Sequence, residues 1–482
     1  MRNRGGGNAA GERKKNVSQF QKDLTQGSVA KQLVLFSLPF LASNLLQALY
    51  NMADMLIVGQ FCGMVGTSAV GIGGQVTILL INLISGLAVG GTVMIAQFIG
   101  AGRQEKVKHT IGTMFSLYAI AGVAMTVIML LLAKPILNAL ATPAESFDEA
   151  YRYLMICMAG TIFVFGYNGV SAVLRGMGDS RHPLIFVAIA AVINVVLDIV
   201  LVAPPLNMGA SGAAIATITA QAISFIISVI FLRRSSFVFD FKLKSFRMKK
   251  DLVKQLLGIG LPASLQGTLV TLSFMFLTSI ANGIAGLIGS NALSIAGKVN
   301  SIAILPSLAM QASVSSMVGQ NIGAGKPERA KKTMTTAIMI AFALSLVVFA
   351  LVQLFPQPIV ELFLGTAEDG VMTAELRAQC IRDSAVYLQC ISWDYLLTSV
   401  LFCISGLAMG VGHTLFTLIN GCVSSLFIRI PAAYIMGKVL GMGLSGVGYA
   451  APAATAVGLL VAFGYLMTGA WRRARIRGVQ EN

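Results

Sequence analysis

Apolar residues run along this chain in long, nearly unbroken blocks separated by short polar turns, without the alternation of a half-exposed strand or the stripe of a soluble helix. A bilayer core takes about twenty residues of helix. Twelve blocks reach that length, at roughly 33–59, 68–98, 110–133, 152–173, 184–203, 211–232, 254–281, 291–320, 333–355, 384–407, 415–437 and 446–470. The pattern predicts an all-α polytopic membrane protein with 12 transmembrane helices. Several blocks exceed a single crossing, which permits tilt without fixing an angle.

Composition agrees: 56% of residues are apolar and 11% charged, with 50 glycines and a mean hydropathy of +0.79. A net charge of +16 would suggest nucleic acid in a soluble chain. Position explains the charge better. The first 32 residues, four loops near residues 103, 175, 240 and 330, and Arg472, Arg473, Arg475 and Arg477 hold 28 of the 35 Lys and Arg. The opposite loops hold five: Lys134, Arg152, Arg377, Arg382 and Lys438. By the positive-inside rule both termini are expected in the cytoplasm. Residues 1–32 lack the apolar core of a signal peptide and are read as a cytoplasmic tail. The six cysteines show no metal-ligand spacing and read as small apolar filler. His109, His182 and His413 fall in loops, too scattered for a metal site, and are expected to be solvated.

The chain also repeats itself. Gln97-Phe98-Ile99-Gly100-Ala101-Gly102-Arg103 returns 223 residues later as Gln320-Asn321-Ile322-Gly323-Ala324-Gly325-Lys326, and nine of seventeen positions agree through Thr113 and Thr336. The same offset pairs Lys31-Gln32-Leu33 with Lys254-Gln255-Leu256. Six spans separate equivalent points, an even number, so the halves enter the membrane the same way round as parallel repeats about an axis along its normal. The expected units are a tail (1–32), an N-terminal six-helix bundle (33–232), a basic linker (233–252), a C-terminal six-helix bundle (253–471) and a C-tail (472–482). The linker is either a tether for bundles that rock or a solvated loop against anionic lipid. The Gly-Ala-Gly sequences follow no strand, so they read as helix C-caps rather than phosphate loops.

Inside the spans, chemistry is scarce. Only Asp54, Asp198 and Asp394 of nineteen acidic residues fall well within them, and each costs roughly 2.5–3.5 kcal/mol at a helix centre without a partner or water. Gln47, Tyr50 and Asp54 share one helical stripe; Asn194 and Asp198, four apart, share a face. Two carboxylates with an amide and a hydroxyl suit a hard cation such as Na⁺, and two desolvated carboxylates close together can instead carry a proton. Structural polar pairing between helices is the plainer alternative. At the 223 offset Leu277 stands where the first half has Asp54, and a second block at offset 234 (Met208-Gly209, Met442-Gly443) pairs Asp198 with Ala432. A single cation site in the first bundle follows. Lys298, Asp394 and Arg429 are the second half's polar outliers, with Asp394 expected to pair with one of the bases. No Walker loop, Ser/His/Asp set or His-Glu-x-x-His occurs, so no enzymatic machinery is visible.

These residues resemble a family. Leu24-Thr25-Gln26-Gly27-Ser28, Leu38-Pro39, Leu49-Tyr50-Asn51, Asp54 and Val58-Gly59-Gln60 resemble the opening of the prokaryotic multidrug and toxic compound extrusion (MATE) transporters. Leu174-Arg175-Gly176-Met177-Gly178-Asp179 and Gly319-Gln320-Asn321-Ile322-Gly323 are similar to that family's loops after the fourth and eighth spans. The resemblance implies two six-helix bundles about a central cavity, and a monomer in a bacterial inner membrane. It also implies export of organic cations in exchange for Na⁺ or H⁺, with no other cofactor and no nucleic acid. It assigns cation coupling to Asp54, Asn194, Asp198 and Thr217, with Thr219 or Gln221 as alternatives for the last. Gln47, Tyr50, Asn168 and Asp394 are assigned to substrate and cavity. A lipid-linked glycan flippase of the same wider superfamily, expected to have a more basic cavity, and a non-transporting receptor or scaffold are the alternatives.

Overall fold

The computed structural model describes residues 20–140, 142–364, 374–476 and 478–479, and all regular structure among them is helical. The first lobe comprises α1 (Val29–Gly63), α2 (Val65–Gly100), α3 (Gln104–Ala139), α4 (Ala144–Ala159 and Thr161–Gly176, bent by 48°), α5 (Arg181–Val202) and α6 (Gly209–Arg234). The second comprises α7 (Lys250–Gly286), α8 (Ile288–Ala303 and Leu305–Gly323, bent by 42°), α9 (Pro327–Leu354), α10 (Ala374–Val411), α11 (Thr414–Val439) and α12 (Gly443–Met467). All twelve expected spans are matched, most with extra residues at their ends. A short helix, Pro356–Leu364, was not expected. Residues 1–19 and Arg477, within the two expected tails, lie outside the described residues.

The repeat is visible in backbone geometry. The α1–α2 corner turns at Gly63 (φ +60°) and the α7–α8 corner at Gly286 (φ +54°), equivalent positions in a region that side-chain-bearing residues avoid. The Gly-Ala-Gly sequences are helix C-caps: the Arg103 amide bonds the Phe98 carbonyl at 2.9 Å and the Lys326 amide that of Asn321 at 2.8 Å, with Gly102 and Gly325 left-handed.

Lipid tails are as apolar as leucine, so helices in a bilayer associate by close packing and hydrogen bonds. The lobes do both at the end carrying Arg103, Arg181 and Lys326, here called the basic face. A Cβ on Gly100 would run into the Gln320 carbonyl, and one on Gly323 into the Gln97 carbonyl. Gln97 Nε2 donates to the Gly410 carbonyl at 2.7 Å, and Gln320 Nε2 to the Gly176 carbonyl at 3.5 Å. Each of these contacts crosses between lobes and has its counterpart in the other half. The helix starts are exchanged as well. Val29 and Leu33 of α1 are buried in the second lobe's core, while Leu252 and Leu256 of α7 are buried in the first lobe's core.

The segment before α1 ties the lobes together further. In the expected N-terminal tail, Phe20 packs on Phe231 and His182 of the first lobe. Next to it, the Leu24 amide bonds Gln320 Oε1 at 3.0 Å, and Arg329 Nη1 bonds the Gly27 carbonyl at 2.8 Å. The linker is no free loop: Phe239 and Phe246 pack on Phe115, and Ser116 Oγ donates to the Phe246 carbonyl. Two histidines expected to be solvated are engaged. His182 bonds the Asp179 carboxylate, and His413 Nδ1 lies 2.8 Å from the Tyr465 hydroxyl. Loop position in the sequence did not show how deeply these loops fold onto the helices.

Two predictions follow from this face. Gly323→Ala, which overlaps a backbone carbonyl, is expected to cost about 1–3 kcal/mol and lower the melting temperature in detergent. Gly74→Ala, with nothing within 4 Å, is expected to leave it unchanged or raise it. Asp179 is 1% exposed. Burial alone would raise its pKa, but hydrogen bonding to His182 and the charges of His182 and Lys22 outweigh burial and hold the carboxyl below its usual range. The resulting stability is present above about pH 4 and is lost as pH falls through the lowered value. Asp179→Asn is therefore expected to lower the melting temperature at pH 7 and flatten its fall below pH 4. An unchanged value at pH 7 would contradict the assignment.

Candidate cation and substrate site

Each lobe's core is divided. In the first lobe, one cluster around Phe98, Ile111, Phe165 and Phe186 lies toward the basic face, and another around Val58, Leu137, Leu154 and Val202 lies toward the opposite face. The polar residues of α1, α5 and α6 sit between them. Asp54 is 9% exposed, Asn194 2% and Asp198 fully buried. Asn194 Nδ2 donates to Thr217 Oγ1 at 3.3 Å, which selects Thr217 over Thr219 and Gln221 as the hydroxyl or amide bonded to Asn194. Tyr50 lies beside Asp54 and Gln221. Asp54 is near enough for its charge to act on Asp198.

The decisive feature is what these groups lack. Asp54 Oδ1, Asn194 Oδ1, both oxygens of Asp198 and Gln221 Oε1 are buried without a hydrogen-bond donor. All are acceptors, and burying one such group unsatisfied costs roughly 1–3 kcal/mol, more for a charge. Such acceptors are satisfied by a proton, a bound cation or a donor such as water. Carboxylate and amide oxygens are also what a hard cation takes, so this donor set fits either H⁺ or Na⁺. No group of three or more His, Cys, Asp or Glu able to hold a metal occurs among the described residues, which leaves transition metals without a site there.

The expected substrate residues do not all gather here. Asn168 gives its amide to the Val164 carbonyl of its own helix at 2.8 Å, and Gln47 is half-buried. Asp394 belongs to the other lobe, where its Oδ2 accepts from Thr398 Oγ1 at 3.2 Å. Its expected ion pair is absent: among the described residues, no Lys or Arg nitrogen comes within 4.0 Å of Asp394. Lys298 is exposed. Arg429 ends a π-helical turn (Val423–Arg429), donates to Ser273 Oγ at 3.2 Å and lies 4.9 Å from the Phe274 ring centroid. Arg429 thus meets a hydroxyl and an aromatic face in place of a direct ion pair, with Asp394 near enough for its charge to act on it.

Tyr153, absent from the expected set, is near enough for the charges of Asp54 and Asp198 to act on it. The fourth apolar block starts at about residue 152, which puts Tyr153 at the membrane edge. The helix begins at Ala144, so Tyr153 is about 14 Å along it at 1.5 Å per residue. Gly73 of α2, where a Cβ would strike the Tyr153 ring, allows that approach.

The MatE family profile matches residues 39–200 and 262–435, one stretch in each lobe. The chain belongs to the MatE family. It is 29% identical over 458 residues to the probable multidrug resistance protein YoeA of Bacillus subtilis, covering 93% of this chain and 96% of that one. It is 26% identical over 440 residues to the probable multidrug resistance protein NorM of Thermotoga maritima, covering 87% and 88%. Among solved structures, it superposes with a TM-score of 0.86 on the outward-facing conformation of a multidrug resistance MATE family transporter of the MOP superfamily, at 26% identity over 95% and 99% of the two chains. The MATE protein described here is thus a multi-pass membrane transporter and not an enzyme.

A residue kept for transport at a cost to the fold leaves a thermodynamic mark. Asn has the shape of Asp without its charge, so Asp198→Asn in this MATE protein is expected to hold or raise the melting temperature at pH 8. Differential scanning fluorimetry of the purified protein checks this; a fall of several degrees would make Asp198 structural.

Proposed function

We propose that this MATE protein is a secondary active antiporter that exports cationic and amphipathic drugs or toxic organic compounds in exchange for H⁺ or Na⁺. The reading places it in a bacterial inner membrane, with the basic face and both termini cytoplasmic and the monomer as the working unit. The observation that carries it is the pair of carboxylates, Asp54 and Asp198, held between two apolar clusters with three of their oxygens unpartnered. Such a pair attracts a positive charge. A substrate cation and a coupling cation therefore compete for the same negative potential, and each weakens the other's hold by the same factor.

Alternating access supplies direction. In this structure the lobes meet at the basic face through Gly100, Gly323, Gln97 and Gln320. A coupling cation entering from the opposite side neutralises the acids and releases substrate. The lobes then part at the basic face, and substrate from the cytoplasm displaces the cation. The flippase alternative asks for a basic cavity; Arg429 is buried against Ser273 and Phe274, whereas the two carboxylates with open acceptor oxygens make the first lobe's centre acidic.

The test is efflux of a fluorescent organic cation from proteoliposomes under a Na⁺ gradient or a pH gradient imposed separately. One gradient is expected to drive flux in the parent, with a loss of at least tenfold in Asp54→Asn. Undiminished gradient-driven flux in that variant would overturn the assignment.

A further inference from the structure

A second site lies at the seam between the lobes. On the basic face, the starts of α3 and α7 and the C-terminal segment after α12 enclose a cavity of about 600 Å³. Its charged lining is one-sided: Lys106 and His109 from α3, Lys249, Asp251 and Lys254 around the start of α7, and Arg475 from the C-terminal segment. Four cations thus face a single carboxylate in a space only about one Debye length across. Among the described residues, none of the four has an acidic oxygen within 4.0 Å. Lys106 is instead half-buried, with Nζ 3.1 Å from the Gly478 carbonyl and 5.7 Å from the Phe98 ring centroid. Like charges collected in a partly enclosed space repel, and that repulsion is relieved by an anion with several acceptor oxygens. The first turns of α3 and α7 also end here, and helix N-termini favour the same sign of ligand.

We propose that this cavity binds a phosphate-bearing anion, and that the occupant holds the two lobes together at the basic face. The geometry gives the second half of the statement. Lys106 and His109 stand on α3, while Lys254 and Arg475 stand on segments of the second half whose neighbours Leu252, Leu256 and Ile476 pack in the first lobe's core, so one bound phosphate fastens these exchanged segments to the first lobe. Parting the lobes pulls its contacts apart. Two sources supply this chemistry, an anionic lipid headgroup and a soluble phosphate compound. A groove of about 550 Å³ lined by Met248, Lys250, Val253, Lys254 and Leu257 adjoins the cavity through Lys254. Its apolar side chains suit an acyl chain, which favours the lipid.

The experiment uses the full-length protein in detergent and reads its melting temperature with added phosphatidylglycerol, phosphatidylcholine or inorganic pyrophosphate. Phosphatidylglycerol is expected to raise the value by several degrees over phosphatidylcholine, and the Lys106→Gln/Lys254→Gln variant is expected to lose that rise. A rise with pyrophosphate alone, also lost in the variant, would establish the site with a soluble ligand as its source. Lys331→Gln/Lys332→Gln, which removes two charges elsewhere on the same face, is expected to keep the full response. Lys106→Arg/Lys254→Arg, expected to retain it, guards against a Gln variant that fails to fold. The proposal is overturned if neither anion shifts the parent, or if both Gln variants respond as the parent does. It is also overturned if both lose the response equally, since generic surface charge would then explain it. None of these readouts depends on transport.

Discussion

The close approach of two backbones at Gly100 and Gly323 is the constraint on which the rest of the molecule depends. With no hydrophobic drive between helices in lipid, two bundles stay together only where small residues let main chains touch and polar side chains find partners across the gap. Gln97 and Gln320 supply those partners by bonding carbonyls in the opposite lobe. The exchanged starts of α1 and α7 then bury Leu33 and Leu256 in each other's cores. A motion that opened the basic face would break these contacts together.

The same scaffold carries different chemistry in its two halves. Ser273 and Leu277 of α7 occupy the register of Tyr50 and Asp54 in α1. In the first lobe that register helps to build an acidic constellation with acceptor oxygens left open; in the second it meets Arg429 through a hydroxyl and an aromatic face. Duplication fixed where helices bend and touch, and individual side chains then set the charge at each lobe's centre. An uncompensated negative pair in one lobe is costly to folding and useful only to something positive.

The sequence showed the bilayer architecture clearly because its signal is collective: twenty apolar residues in a row outweigh any single exception. The 223-residue repeat and the Asp54, Asn194 and Asp198 faces were legible for the same reason, being set by helical period and register. What escaped depends on tertiary approach. Tyr153 comes within range of both acids' charges because α4 begins earlier than its apolar block, and Gly73 leaves it room. Arg429 makes its direct contacts with Ser273 and Phe274 rather than Asp394, which spacing along α11 does not reveal. The engaged loops, with His182 on Asp179 and Phe239 on Phe115, fold back onto helices in ways no local pattern encodes.

The most direct test of the central claim is thermodynamic coupling at the acids. The affinity of the purified protein for a lipophilic organic cation can be measured by equilibrium dialysis across pH and across Na⁺ concentration. The account predicts that affinity falls as the coupling ion, H⁺ or Na⁺, is raised, and that Asp198→Asn abolishes the dependence. An affinity indifferent to both ions in the parent protein would contradict it.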